Sequence, residues 1–186
     1  MDVTRILETD HREVEELFAK IEQAEGKERQ PFIDELATSL LAHMELEERV
    51  VYPAMQPVTG KEDVEEGVTE HDLARNGLAE VVELAPDTPG FGAALAALKA
   101  GIAHHVEEEE DDVFPKLRND GPKVLKEMAT PFMKKRMELG MPMAADALAA
   151  SSSKDELLAE AKGADLEGAA SMNKDELAEA LAEKMS

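Results

Sequence analysis

Four long segments with helical periodicity, each ended by a glycine or a proline, most constrain what this chain can fold into. Within each segment, apolar side chains recur every three or four residues, which places them on one face of an α-helix. We predict these helices at residues 3–24, 31–52, 63–84 and 91–114. Each is roughly 33–36 Å long at about 1.5 Å per residue, and the connections are short. The pattern therefore predicts an all-α fold, an antiparallel up-down four-helix bundle over residues 1–118.

The composition of the 186-residue chain supports a helical fold and restricts its partners. Aromatic residues make up only 3% of the chain, whereas the helix formers Ala, Leu, Glu, Lys and Met are abundant. The absence of cysteine excludes disulfides, thiolate metal ligands and cysteine nucleophiles. The net charge of −22 disfavours nucleic acid and anionic membranes and favours cations as small partners. Because the N-terminus lacks a signal-like pattern and no apolar run approaches about 18 residues, we expect a cytoplasmic protein.

Three further segments follow the predicted bundle. Residues 119–140 are methionine-rich and locally basic, and we expect an additional helical segment that folds back over the acidic bundle. Residues 141–153 are mostly small and are predicted to be a linker. Residues 154–186, with the serine before them, contain the similar stretches "SKDELLAEA" and "NKDELAEAL", in which an N-cap residue precedes first-turn acids. We predict a small two-helix module there, with few contacts to the bundle.

Each predicted helix places one histidine on its apolar stripe. In the fourth helix the stripe consists of Phe91, Leu95, Leu98, Ile102, His105, Glu109 and Val113. In the second helix it consists of Leu36, Leu40, His43, Glu47 and Val50. The first and third helices have stripes of Val3, Leu7, His11, Val14, Phe18 and Ile21, and of Val64, Val68, His71, Leu78 and Val82. Four histidines and two glutamates are therefore predicted to face the bundle core together.

The two inward-facing glutamates, Glu47 and Glu109, decide between a structural and a metal-binding interpretation. A single histidine on an apolar face is usually a packed core residue, and a run of acids such as residues 107–112 is usually a solvated face. Burying two carboxylates without partners is costly, however, so a cation between them is the more economical explanation. A metal-free acidic helical protein is the alternative. His104 points about 100° away from His105 and is expected to be a bystander on the flank of the bundle.

The two halves of the predicted bundle repeat this pattern. Each histidine and glutamate of the first half recurs 60 or 62 residues later, which gives the pairs His11 and His71, His43 and His105, and Glu47 and Glu109. Two histidines per metal with a shared pair of carboxylates is typical of a two-metal site on facing helices. Imidazole and carboxylate ligands suit iron or manganese better than calcium or magnesium, and they do not exclude zinc.

Over about residues 2–118 the sequence resembles the hemerythrin-like family of HHE cation-binding domains. The matching motifs are "DHREVEELF", "HMELEERVVYP", "EHDLA" and "HHVEEEEDDVFP". The resemblance implies an antiparallel four-helix bundle that holds two iron ions in a non-haem di-iron centre. It also implies the metal ligands, which are the positions that the stripes indicate independently: His11, His43, Glu47, His71, His105 and Glu109.

The sequence departs from the oxygen-carrying hemerythrins at two ligand positions. Where they have a further histidine, four residues after the position of His71, this chain has Arg75. Where they have an aspartate five residues after the last histidine, it has Glu110, and the glutamate of the stripe comes one residue earlier. The implied set is one histidine short, which argues against reversible oxygen carriage and leaves a coordination position open. Tyr52 is a candidate neighbour of the site, with packing as its expected role.

Two functions fit this interpretation. One is a di-iron protein that reacts with a small oxidant (peroxide, oxygen or nitric oxide), with a catalase-like or peroxidase-like activity. The other is a non-catalytic oxygen or iron sensor that signals through its C-terminal tail. Residues 154–186 resemble the small helical module at the N-terminus of transcription termination factor Rho and related plasmid-stabilisation domains. Because nine acids oppose four lysines there, we expect a protein partner or a structural role for the tail and no nucleic-acid binding.

Overall fold

The computed structural model describes residues 1–141 and 145–185, and all regular secondary structure in these ranges is helical. The α-helices are α1 (Val3–Gln23), α2 (Gln30–Leu46), α3 (Tyr52–Thr59), α4 (Lys61–Glu83), α5 (Phe91–Glu108), α6 (Phe114–Asp120), α7 (Pro122–Glu138), α8 (Ala145–Ser151), α9 (Lys154–Gly163) and α10 (Lys174–Met185). Within the described ranges, no helix is long and apolar enough to span a membrane. The predicted all-α fold class is confirmed.

Two π-helical segments join α2 to α3 and α5 to α6 into continuous units, Glu47–Val51 and Glu109–Val113. The N–H of Tyr52 donates to the carbonyl of Glu47, and the N–H of Phe114 donates to that of Glu109, five residues back in each case. A proline follows closely after each π-helical segment. Proline has no N–H and crowds the preceding turn of a regular helix. The wider π turn lets the chain continue, so the second and fourth helices extend beyond their predicted ends.

The bundle consists of four rods, which we number along the chain. Rod 1 is α1, rod 2 runs from α2 to α3, rod 3 is α4, and rod 4 runs from α5 to α6. Lys99 of rod 4 contacts Glu22 of rod 1 at 2.9 Å, whereas Glu110, further along rod 4, contacts His11, further back along rod 1, at 2.8 Å. In the contacts between rods 2 and 3, and in those between rods 3 and 4, the residue number likewise rises along one rod as it falls along the other. The rods therefore alternate in direction, as the short connections predict.

Apolar side chains form two buried clusters with a polar layer between them. One cluster includes Val3, Ile6, Leu7, Val113 and Phe114. The other includes Val14, Phe18, Leu36, Leu95 and Ile102. The buried polar layer contains Asp10, His11, His43, Glu47, His71, His105, Glu109 and Arg136. Because burial of unpaired ionisable groups is costly, this layer is the part of the interior that needs a chemical explanation.

Rod 3 faces the core with a stripe that differs from the predicted one. Val68 and Val82 are 36% and 48% exposed, whereas Gly67 is buried. Because Gly67 has no side chain, the ring of Tyr52 packs directly over its backbone, and Gly67 faces the core in place of Val68. Further along the rod, Val81 is buried in place of Val82. His71 is buried on either stripe, so the error does not move the histidine out of the core.

The segment after the bundle packs against the apolar cluster at the start of α1, and the last part of the chain does so too. Residues 119–140 are largely helix α7, whose Leu125, Met128 and Phe132 join the apolar cluster of the first residues of α1. The predicted linker, residues 141–153, contains helix α8, and its residues 142–144 lie outside the described residues. Leu148 of α8 is fully buried in the same cluster.

Helices α9 and α10 begin at the N-caps that the sequence predicts, but they are not an isolated module. Leu157 of α9 and Leu177 of α10 are fully buried in the cluster that contains Val3. The N–H of Asp2 donates to the carbonyl of Ser151 at 2.8 Å, which ties the start of the chain to the end of α8. The prediction of few contacts between tail and bundle is therefore wrong, because the leucines of the tail complete the core at one end. Residue 186 lies outside the described residues.

Candidate metal centre

The structure brings together all six side chains that the sequence predicts as metal ligands. They come from all four rods and are between 0% and 6% exposed: His11, His43, Glu47, His71, His105 and Glu109. The two glutamates begin the two π-helical segments, and each histidine of rods 2 and 4 lies four residues before one of them. Nitrogen and oxygen atoms of these groups lie within 4.8 Å of one another in two sets that share Glu47.

Glu47 lies between two histidines of different rods. Its Oε1 is 3.2 Å from Nε2 of His43, which is in the same rod. Its Oε2 is 3.2 Å from Nε2 of His71 in rod 3. The two oxygens of this one carboxylate therefore face different imidazoles, which is the arrangement of a bridging ligand.

Glu109 repeats the arrangement from the opposite side. Its Oε2 is 3.4 Å from Nε2 of His11, and its Oε1 is 3.7 Å from Nε2 of His105. The centre thus has two halves, each with two imidazole nitrogens and one oxygen from each glutamate. We call the half at His11 and His43 the first half, and the half at His71 and His105 the second half.

Several of these inward-facing atoms have no hydrogen-bond partner although they are buried. They are Nε2 of His11, Nε2 of His43, both carboxylate oxygens of Glu47, and Oε2 of Glu109. A buried polar atom that is left unpaired costs about 1–3 kcal/mol, and more if it is charged. Cations placed between the imidazoles and the carboxylates would satisfy these atoms, and the donor set suits iron, manganese or zinc.

The charges of the centre also favour a cation. Desolvation by burial lowers the pKa of the His43 ring, but the charge of Glu47 and the carboxylate of Asp10 outweigh it and raise that pKa well above its usual value. Burial raises the pKa of Glu47, but the charge and hydrogen bond of His43 bring it well below its usual range. Positive charge at the ring nitrogens is therefore stabilised by the surrounding carboxylates.

Each histidine has a second carboxylate behind it, on the ring nitrogen that faces away from the centre. The distances from Nδ1 are 2.8 Å for His11 to Glu110, 2.9 Å for His71 to Glu48, 2.8 Å for His105 to Glu70, and 3.6 Å for His43 to Asp10. The three contacts at 2.8–2.9 Å are hydrogen bonds, which set the tautomer and the orientation of the ring so that Nε2 points inward. The fourth, from Asp10 to His43, is a charge contact, and Nδ1 of His43 has no hydrogen-bond partner within the described residues.

These outer carboxylates follow the same internal repeat as the ligands. Two of them directly precede a histidine of the centre, and the other two directly follow a glutamate of the centre: Asp10, Glu70, Glu48 and Glu110. Each one contacts the histidine of a neighbouring rod and not the ligand next to it in sequence. Sequence reasoning missed their roles, although an acid beside four of the six predicted ligands, at repeated spacing, was a usable signal.

Tyr52 lies at the second half of the centre. Its Oη is 3.1 Å from Nε2 of His71, and its hydroxyl donates to Oε1 of Glu109 at 3.4 Å. Burial, and then the negative charges of Glu47 and Glu109, raise the pKa of Tyr52, so the hydroxyl keeps its proton and remains a donor. The contact adds a polar role to the packing role that we expected.

The position of Tyr52 depends on Gly67. A Cβ atom added at Gly67 would lie 2.7 Å from Oη of Tyr52, which is closer than such atoms approach. We expect Gly67→Ala to move the phenol and to destabilise the protein by about 1–3 kcal/mol through overpacking. Gly101→Ala, also in a helix but with nothing within 4 Å of the added Cβ, should stabilise it by up to about 1 kcal/mol. Urea unfolding of the two variants measures the difference, and equal effects would contradict the tight contact.

His104 and Arg75 lie outside the centre, as the sequence-based interpretation expects. The side chain of His104 is 64% exposed, and its Nε2 is 3.7 Å from Glu70 and 3.5 Å from Glu108. Arg75 donates to Oε1 of Glu48 at 2.6 Å, so it reinforces the carboxylate behind the histidine of rod 3. Neither side chain takes the place of the histidine that the ligand set lacks relative to the oxygen carriers.

A cavity of about 100 Å³ reaches the second half from the surface. It is lined by Tyr52, Gly67, Glu70, His105, Glu108 and Glu109, among others. A cavity beside the first half is lined by Asp10, His43 and Arg136 and touches neither glutamate of the centre. A small molecule therefore has a path to the carboxylates through the second half.

Comparisons with known proteins agree with this geometry. The family described as Hemerythrin HHE cation binding domain matches residues 2–117. The crystal structure of a hemerythrin HHE cation-binding-domain-containing protein from Mycobacterium kansasii is 19% identical and matches with a TM-score of 0.61 over 97% of this chain and 99% of that one, which shows a shared fold. A DNA nickase from Nostoc sp. is 27% identical over 121 residues, which are 64% of this chain. The chain spans only about a third (34%) of the length of that relative.

Proposed function

Because this chain belongs to the hemerythrin HHE cation-binding domain family, we propose that its buried centre holds two iron ions and reacts with a small oxidant: peroxide, oxygen or nitric oxide. Family membership supports cation binding, whereas the identity of the ion and the reaction are the new parts of the proposal. The residues proposed to hold the ions are His11, His43, Glu47, His71, His105 and Glu109.

One observation carries the proposal. Both glutamates direct their two oxygens at imidazole nitrogens of different rods, and most of these buried atoms have no hydrogen-bond partner within the described residues. A purely structural layer would pair such groups with one another, because an unpaired buried carboxylate is costly. The donor set of two histidines and two shared carboxylates per ion suits iron.

The surrounding residues provide what a reactive centre needs. Bound iron would supply redox chemistry that side chains alone do not have. Outer carboxylates hydrogen-bond three of the four imidazoles and a fourth lies near His43, and the apolar clusters on both sides exclude water. Tyr52 presents a protonated hydroxyl to the second half, where the cavity admits small molecules. This half is therefore the proposed place of reaction.

Peroxide consumption by the iron-loaded protein tests the proposed reaction. We expect many molecules of peroxide to be consumed per chain, and we expect the reduced protein to be oxidised rapidly by oxygen without a long-lived oxygenated species. His71→Ala should lose this turnover together with iron, since it removes an imidazole from the second half. The matched variant His104→Ala, which alters a largely exposed histidine, should keep the iron content. A stable, reversible oxygen adduct without peroxide turnover would contradict the proposal.

A sensor function is the second candidate, and the packing of the tail favours it. Helix α1 carries His11 and also contacts α8, so a change at the centre has a short path to the C-terminal helices. A sensor would bind one ligand per centre and then stop, whereas an enzyme would continue to consume peroxide. The same peroxide assay therefore separates the two candidates.

The DNA-nicking activity named for the Nostoc relative is not proposed for this chain. The chain spans about a third of that protein. Its net charge of −22 also opposes contact with a phosphate backbone, which depends on Lys and Arg. We accordingly propose no nucleic-acid partner and no membrane partner.

A further inference from the structure

A buried arginine from outside the HHE domain contacts the first half of the centre. Arg136 lies in α7, beyond the matched residues 2–117, and is only 1% exposed. Its Nη2 donates to Oδ1 of Asp10 at 3.0 Å, and its Nη1 donates to Oδ2. The guanidinium therefore holds the carboxylate with two parallel hydrogen bonds, the geometry that gives arginine its specificity for carboxylates.

Asp10 connects this arginine to the centre. Its Oδ2 is 3.6 Å from Nδ1 of His43, the ring nitrogen that faces away from Glu47. Asp10 is itself 7% exposed, and a buried carboxylate of this kind requires a paired cation. Arg136 provides that cation, so the carboxylate that faces the outer nitrogen of the His43 ring is held by a residue of α7.

The second half has a more exposed counterpart, because Arg75 donates to Glu48, behind His71, at 2.6 Å but its side chain is 32% exposed. Glu70 takes the place of Asp10 behind His105, and its side chain is 17% exposed. Its nearby basic partner is the largely exposed His104, at 3.7 Å, not a buried arginine. The two halves therefore differ in their outer residues: among the described residues, the fully buried arginine lies behind a histidine of the first half and comes from α7.

We propose that Arg136 is a positioning residue that acts through Asp10 and His43 to make the first half retain its metal ion more tightly than the second. This inference rests on the proposed two-metal centre. The second half, whose cavity reaches Glu109 and whose arginine is partly exposed, holds the more readily exchanged ion. Partners of this outer kind are worth about tenfold to a hundredfold in metal affinity.

The test is the release of iron to a chelator from the full-length protein, followed by absorbance. We expect two phases of equal amplitude in the wild type. Arg136→Met should accelerate the slow phase about tenfold to a hundredfold and leave the fast phase unchanged. Arg136→Lys keeps the charge but not the paired hydrogen bonds, so the rate of its slow phase should lie between those of the wild type and of Arg136→Met. Lys135→Met is the matched control, because Lys135 is adjacent on α7 but contacts Glu45, away from the histidines.

Two further measurements separate a positioning role from general stability. Asp10→Asn should change iron release as Arg136→Met does, and the double variant should be no worse than either single one, because both act through one contact. The optical spectrum of the cobalt-loaded protein should change in Arg136→Met but not in Lys135→Met. Equal acceleration of both phases, or additive effects of the two substitutions, would overturn the inference. A wild type that binds two ions but releases them in one phase would overturn it while leaving the proposed function intact.

Discussion

Substitution of Glu47 by alanine is expected to remove most of the bound metal from both halves of the centre. Its two oxygens face His43 and His71, each at 3.2 Å, so one substitution removes a ligand from each ion. Elemental analysis should show less than one ion per chain. A ligand present at a hundred times its dissociation constant stabilises a fold by about 2.7 kcal/mol, so we expect the melting temperature to fall by roughly 5–10 °C for each ion lost.

The histidines should behave differently from the glutamates. His105 faces one oxygen of Glu109 and belongs to the second half alone. His105→Ala should therefore lose one ion and keep the other, whereas Glu109→Ala should affect both as Glu47→Ala does. Glu45→Ala is the control for Glu47→Ala, because Glu45 lies in the same rod but its carboxylate pairs with Lys135. Normal iron content in either glutamate variant would contradict the bridging role.

The metal-free protein provides a second test of the same assignment. Without metal, burial raises the pKa of Glu47, but the charge and hydrogen bond of His43 hold it well below its usual range, so the ionised carboxylate pairs with a protonated ring. Glu47→Gln removes this pairing in both forms, and in the metal-loaded protein it also removes an anionic ligand from each ion. It should therefore destabilise the metal-loaded protein more than the metal-free protein. If the substitution destabilised both forms equally, the role of Glu47 would be structural.

The periodicity of the sequence was sufficient to predict that the six side chains of the centre lie together, because they lie on apolar stripes. His43 and Glu47 are one helical turn apart, as are His105 and Glu109, so one repeat places all four inward. The same method wrongly placed Val68 on the inward face of rod 3, because a hydropathy pattern gives no weight to a buried glycine. Close packing of Tyr52 on Gly67 decided which face of rod 3 points inward, and this is a property of two helices together.

Long-range packing accounts for what periodicity could not predict. Arg136 lies 126 residues from Asp10, and no local pattern in α7 marks it as different from the other basic residues there. The small residues of 141–153 were typical of a linker, yet Leu148 among them is fully buried. In both cases the decisive contact is with α1 and its neighbours, so the sequence of the segment alone carries no sign of it.

The packing of the tail predicts that the bundle does not tolerate its removal. Truncation after Gly140 would take away Leu148, Leu157 and Leu177, which are fully buried, and would expose the apolar surface around Val3. We expect the truncated protein to aggregate or to lose its cooperative unfolding transition. This follows from the error in the sequence-based expectation of few contacts between tail and bundle, because α1 both carries His11 and packs against α8.

A single substitution tests the same packing without removing residues. Leu148→Ala should lower the free energy of unfolding by about 2–5 kcal/mol, the cost of a large-to-small change in a core. Leu73→Ala is the matched control, because Leu73 is 67% exposed and its loss should cost little. Leu148 lies in the apolar cluster and not in the polar layer, so the folded variant should still bind two ions, unlike the Glu47 variant. An unfolding free energy unchanged by Leu148→Ala would mean that the tail does not form part of the core in solution.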